Sequence, residues 1–311
     1  MSRRAWTMLL CVSAFWGSSY LFIKVSLDEG VTPGVVVFGR VALSALVLVP
    51  LALQRRALRP LRGRLGPVVV LSLVQVVAPF LLISHGEQEI SSSLTGILVA
   101  TVPVFTFLLA FVIEGEERAG ALSLVGVGVG ILGVALLLGV DAGGGRAALV
   151  GGLMVVLASL GYAIGAWYLK RNLSDAEPLG VLAGTMTTTA IVTLPLALLG
   201  LPDPVPSAKA AGALAVLGLL CTAITFLLFY SLVASEGPAR SSLVGYIAPG
   251  FSVLYGVTLY GERFTVATAA GLALIVVGSW LAAEGRPPWR GRALRSARPV
   301  ARRRRRYRAR A

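Results

Sequence analysis

Ten apolar stretches, each close to twenty residues long, leave this chain little choice of architecture. They run from Ala5 to Leu27, Pro33 to Leu53, Gly66 to His85, Ser93 to Ile113, Ala119 to Val140, Ala147 to Leu169, Pro178 to Leu199, Ala210 to Ala234, Ser241 to Tyr260 and Val266 to Ala283. A helix rising 1.5 Å per residue needs about twenty apolar residues to cross a hydrocarbon core of about 30 Å. Lipid offers the backbone no hydrogen-bond partners, so runs of this kind must be helices. The expected fold is therefore all-α and integral to the membrane, with ten transmembrane helices. A chain that is 56% hydrophobic and only 14% charged, with a mean hydropathy of +0.84, is excluded from the ordinary soluble classes.

The ten segments are two sets of five. Pro103-Val104-Phe105 leading to Gly115-Glu116 returns as Pro249-Gly250-Phe251 leading to Gly261-Glu262, about 146 positions later. Pro33, Gly39 and Pro50 return as Pro178, Gly184 and Pro195, and Ala14 and Gly17 as Ala158 and Gly161. Because five is odd, the second copy must lie upside down relative to the first. Secondary transporters place their substrate sites between inverted repeats of this kind. The expected domains are a first repeat at 5–140, a second at 147–284, and a basic tail at 285–311.

Orientation follows from the retention of Lys and Arg on the cytoplasmic side. Arg3 and Arg4 precede the first segment, Arg55, Arg56, Arg59, Arg62 and Arg64 separate the second from the third, and Lys170 and Arg171 follow the sixth. The opposite loops hold little beyond Arg146, Lys209 and Arg263. Both termini are expected in the cytoplasm of a multi-pass cell-membrane protein, with the first segment retained rather than cleaved. Most of the formal charge of +14 sits in the Arg-rich tail. Its composition predicts disorder, and its partner is either solvent or anionic lipid headgroups rather than nucleic acid. Cys11 and Cys221 lie inside apolar segments and read as small core residues.

Charges inside a span persist mainly where they face a cavity or a partner. Two basic residues qualify, Lys24 in the first segment and Arg40 in the second. Lys24 lies about one turn from its helix end and can snorkel; Arg40, roughly 10 Å below the surface, cannot do so easily. Trp16, Tyr20 and Lys24 recur every four residues and form one stripe, which suits either a substrate wall or packing through Gly17. Gln75, near Ser72 and Pro79, needs a partner that is either a substrate or a neighbouring helix. Tyr246 is a further candidate for the pathway. Pro103, Pro249 and Gly250 loosen the fourth and ninth helices, make them the expected gating pair, and can free carbonyls to face a cavity. His85, Glu87 and Glu89 are expected at the interface, with a pH-sensing or proton-relaying cluster as the alternative, and no acidic residue is expected in the middle of a span. Glycine pairs such as Gly126 with Gly130, and the Gly271 to Gly278 face, predict close packing within the bundle, or a homodimer contact if the protein is not a monomer.

On Trp16-Gly17 with Lys24, Arg40, Pro103 with Gly115-Glu116, and Pro249 with Gly261-Glu262, the chain resembles the EamA-type branch of the drug/metabolite transporter superfamily. The resemblance covers roughly residues 5 to 284. It implies two five-helix repeats around a central cavity, alternating access, and movement of a small metabolite such as an amino acid, or of a drug, with export the favoured direction. It implies no cofactor and no metal. Lys24 aligns near Tyr168 and Arg40 with Thr185, so the cationic pair exists only in the first half and points to a ligand with an anionic group. A flippase for lipids or lipid-linked sugars is the alternative. A membrane enzyme is disfavoured by the lack of an acid–base pair, nucleophile or metal cluster at depth.

Overall fold

The computed structural model describes residues 1–114, 121–141, 145–202 and 206–284. Gly115-Glu116 and the Arg-rich tail lie outside these residues. Ten helices carry the described chain: α1 Arg3–Asp28, α2 Pro33–Gln54, α3 Leu65–Glu89, α4 in two pieces (Ser92–Val99 and Val102–Glu114), α5 Ala121–Leu136, α6 Arg146–Asn172, α7 Pro178–Leu199, α8 Ala208–Glu236, α9 Val244–Tyr260 and α10 Val266–Glu284. Nine of these stretches are long and apolar enough to span a bilayer, and α9 is a shorter apolar helix. Local chemistry marks their ends. Ser2, Ser91 and Ser207 each accept a hydrogen bond from a first-turn amide, and Pro33 and Pro178 occupy first turns where no amide hydrogen is needed.

Three corresponding pairs of the two halves, α2–α7, α4–α9 and α5–α10, pack against each other antiparallel, an arrangement consistent with inverted repeats. At the start of α2, Thr32 Oγ1 donates to the Gly200 carbonyl just past the end of α7, at 2.8 Å. At the other end, Gly180 near the start of α7 presses on the Ala57 backbone beyond α2. The α4–α9 and α5–α10 pairs run the same way, Gly96 against Ser252 and Gly126 against the Gly278 carbonyl. Both halves also widen a helix at matching places. The π-turn Leu73–Val77 of α3, shifted by 146 positions, falls at 219–223, inside the π-stretch Val216–Ile224 of α8. Such turns leave i→i+5 bonding that side chains complete, and Thr222 and Thr225 donate to the carbonyls of Leu217 and Leu220, five residues back.

Pairings at the two bundle ends define them. The terminal end carries Arg3 and the start of α3, where Arg64 pairs with Asp175 at 2.5 Å and holds that carboxyl below its ordinary range. The distal end carries the α1–α2 turn, where Glu29 receives hydrogen bonds from Lys209 at 2.8 Å and Ser207 at 2.6 Å; these hold its carboxyl below the usual value.

Helix crossings depend on glycine at contact points. A Cβ on Gly278 would fall on the Gly130 backbone and within 2.7 Å of the Gly126 carbonyl, whereas one on Gly250 would meet nothing within 4 Å. Gly278→Ala is therefore expected to destabilise by about 1–3 kcal/mol through overpacking, and to lower the melting midpoint in detergent by several degrees. Gly250→Ala is expected to melt like the parent protein. Equal midpoints for the two variants would remove close α5–α10 packing as the reason for Gly278.

Candidate functional site

Arg40 lies buried in α2, 7% exposed. Its guanidinium carbon sits 4.0 Å from the centre of the Phe80 ring of α3, and its Nε donates to Thr222 Oγ1 at 2.8 Å. The π-stretch of α8 holds that hydroxyl in place, because Thr222 in turn donates to the Leu217 carbonyl at 2.8 Å. Stacking and one fixed hydrogen bond set the plane of the guanidinium. Its two terminal nitrogens have no acceptor among the described residues, yet neither is a fully buried unsatisfied atom. They therefore border accessible space and are free to receive a planar anion such as a carboxylate.

Around this cation stand Tyr20 of α1, Tyr162 of α6, Cys221 of α8 and Glu87 of α3, all within electrostatic reach. Tyr20 and Tyr162 are only half-buried although protein surrounds them, so they too face internal space. Trp16, one turn from Tyr20, packs on α8 with ring centres 5.4 Å from Phe226 and 4.9 Å from Phe229. One face of α1 thus offers rings to the same region as Arg40. Gly17, beside it, lets α9 approach, since a Cβ there would lie 2.7 Å from the Ala248 carbonyl.

The other expected residues are placed differently. The Lys24 ammonium, 17% exposed, donates to the Glu87 backbone carbonyl at 2.8 Å and lies 3.6 Å from Asp28, so it ties α1 to α3 at the distal end. Gln75, in the π-turn of α3, is half-buried and packs over Gly165 of α6, whose Cβ would lie 2.5 Å from the Gln75 Cβ. Tyr246 sits in the first turn of α9, at the terminal end.

The expected gating prolines are not equivalent. The fourth apolar segment was read as one helix loosened from within by Pro103; instead the chain breaks at Ala100 and Thr101, and Pro103 stands in the first turn of the second piece. The carbonyls freed by the break do not open onto a cavity. Ser279 of α10 donates to Ala100 at 2.6 Å, and the Thr101 hydroxyl donates to Leu98 at 2.7 Å. Pro249 remains inside a continuous α9, and Gly250 next to it approaches no other helix.

At the distal end, Glu262 follows Gly261, whose φ of +70° ends α9 in the left-handed region that favours glycine. One Glu262 oxygen accepts from the Ser92 amide at 2.7 Å and the Ser92 hydroxyl at 2.8 Å. The other accepts from the Ser93 amide at 2.9 Å and from the Ser93 hydroxyl. The Gly-Glu pair that marked the repeat is therefore the cap of α4, a negative charge on the positive end of that helix. Beside it, the Tyr260 hydroxyl bonds to Asp28. A cleft of about 500 Å³ opens nearby, lined in part by His85, Glu89 and Arg146.

Glu87 stands in the last turn of α3, at the distal end, but is enclosed by protein rather than open to water. The third helix continues past His85 to Glu89, and Glu87 is 0% exposed. Its enclosure depends on Gly86, which admits the Gly151 carbonyl of α6, 2.6 Å from where its Cβ would be. The usable signal was Phe80, Ile83 and Glu87, which share one helical face. Tyr162 was missed because its counterpart in the first half, 144 positions earlier, is Ser18.

The model of a family described as the EamA-like transporter family matches this chain twice, over residues 4–139 and 149–283. The chain is 26% identical to the "Uncharacterized inner membrane transporter YedA" of Escherichia coli strain K12, covering 89% of this chain and 90% of that protein. It is 28% identical to the "Probable terminal-alkyne amino-acid exporter" of Streptantibioticus cattleyicolor, over 90% and 93% of the two chains. A solved structure titled "Crystal structure of protein" shares the fold, with a TM-score of 0.65 at 21% identity over 89% of this chain and 96% of that one.

Proposed function

The chain belongs to the EamA-like transporter family, and we propose on that basis that it exports a small metabolite bearing an anionic group, amino-acid-like in kind, by alternating access. The observation that carries this reading is Arg40, whose guanidinium is held flat by Phe80 and Thr222 while its terminal nitrogens stay without an acceptor among the described residues. A carboxylate matches that fork in geometry and charge, and the rings of Tyr20, Tyr162 and Trp16 suit the apolar part of the ligand. The name of the Streptantibioticus relative, an amino-acid exporter, supports the same substrate class. We place the terminal end in the cytoplasm on the arginine distribution, and the described state has its distal end tied by the Glu262 cap and the Lys24 contact. The 285–311 tail would then face anionic lipid on the cytoplasmic side.

Counterflow in proteoliposomes tests the reading. Vesicles loaded in turn with individual unlabelled L-amino acids are expected to accumulate the matching radiolabelled compound, saturably, for at least one member. If no member exchanges, and the same vesicles move a fluorescent phospholipid between leaflets faster than protein-free vesicles, the flippase reading replaces this one.

A further inference from the structure

Glu87 stands within electrostatic reach of Arg40 but makes no hydrogen bond to it, and its surroundings are unusual. Neither of its carboxylate oxygens has a hydrogen-bond partner, although both are fully buried. The Thr95 hydroxyl alongside gives its hydrogen to the Ser91 carbonyl instead. The nearest ammonium, Lys24, bonds to the backbone carbonyl of Glu87 and not to its carboxyl. Glu262, a few residues away in space, collects four donors. A buried carboxylate without donors is strongly disfavoured, whereas the neutral acid is tolerated far better.

We propose that Glu87 is a proton-binding residue whose protonation allows the distal end to close. The step balances simply. As the end closes, the Glu87 carboxylate takes a proton from distal-side water and becomes a neutral acid; as it opens, water returns and the proton leaves. The charged and titratable groups within electrostatic reach of it come from several elements: Tyr20 and Lys24 on α1, Arg40 on α2 and Glu262 beyond α9, with Asp28 beside Lys24. Glu262 is occupied by its four donors at the start of α4, and Lys24 and Asp28 lie 3.6 Å apart. Glu87 alone among these acids is fully buried without a hydrogen-bond donor, although Lys24 and Arg40 lie within electrostatic reach. The tie that seals it, from Lys24 to its own carbonyl, joins α1 to α3 and so links its state to the position of the helix ends. The inference rests on the alternating-access reading, and it makes closure of the distal end depend on the pH of that side.

Two measurements on the full-length protein in liposomes test it, neither of which needs a transported substrate. The first is pH-step infrared difference spectroscopy: the parent protein is expected to show the carbonyl band of a titrating carboxylic acid that is missing in Glu87→Gln. The second is maleimide labelling from the distal side at Val99→Cys, a half-buried α4 position near Tyr20 and Tyr162, with Cys11 and Cys221 replaced by serine. The ratio of labelling in the Glu87 protein to that in its Glu87→Gln partner cancels the pH dependence of the thiol itself. It is expected to rise several-fold from acid to alkaline pH. Identical infrared spectra, or a ratio that stays flat, would overturn the proposal. Should Glu87→Gln fail to fold, Glu87→Asp decides: its titrating band must move from the parent position, and an unmoved band overturns the assignment. A failure to find any exchanged metabolite would count against the transport reading while leaving these two results to stand.

Discussion

Replacing Arg40 with alanine is expected to cut metabolite exchange by about two orders of magnitude or more while leaving a folded protein. Truncating one partner of a desolvated, hydrogen-bonded charge pair typically costs about 2–5 kcal/mol, and each 1.4 kcal/mol is about tenfold. The fold should survive, because Thr222 retains its own bond to the Leu217 carbonyl when the guanidinium is gone, and no buried carboxylate depends on Arg40 for an ion pair among the described residues. Arg40→Lys should recover only part of the rate. Its ammonium keeps the charge but has neither the planar fork nor the stacking surface over Phe80. Exchange rates at matched protein levels, together with melting midpoints, check both variants. Parent-like exchange by Arg40→Ala would remove this residue from the pathway and the anionic-substrate reading with it.

Glu262→Ala should be among the most destabilising single changes. It strips four donors of their acceptor, two of them backbone amides at the start of α4, in a partly buried junction. Hydrogen bonds to a charged group contribute about 1.5–3 kcal/mol each; shared partners make them less than additive, so about 3–5 kcal/mol in total is expected. Glu262→Gln should recover little, since its amide nitrogen would face a serine pair that offers hydrogens. Hydrogen exchange read by mass spectrometry should show faster exchange across Ser92 to Thr95 in both variants. Unchanged protection there would mean that the cap does not hold the α4–α9 junction.

Much of the architecture was legible because it rests on local properties. Segment length and apolarity specify helices, and the Pro103 and Pro249 spacing reveals the duplication; an odd number of segments then implies inversion. The helices start and stop within a few residues of the expected bounds. Arg40 was legible as a candidate because a guanidinium seven residues into an apolar span requires a reason.

The rest needed the partners in view. Lys24 carries the same kind of charge, yet it is engaged by Asp28 and by a carbonyl of α3, residues whose proximity no spacing within α1 could predict. Pro103 and Pro249 align in sequence, yet a serine on α10 stabilises a break near one while the other rides in an unbroken helix. Glu262 was visible as half of a repeated Gly-Glu pair, but its work depends on two serines about 170 positions earlier. Glu87 was expected near a helix end, but its enclosure depends on Gly86, which admits a crossing with α6. Sequence alone thus determined the membrane class, the ten helices and the duplication, since each follows from the chemistry of a single segment or from comparing two. Which charges are answered and which are left for a ligand or a proton was decided only by the tertiary structure, because in a low-dielectric bundle the cost of a charge depends on the few atoms within a hydrogen bond of it, and those come from other helices.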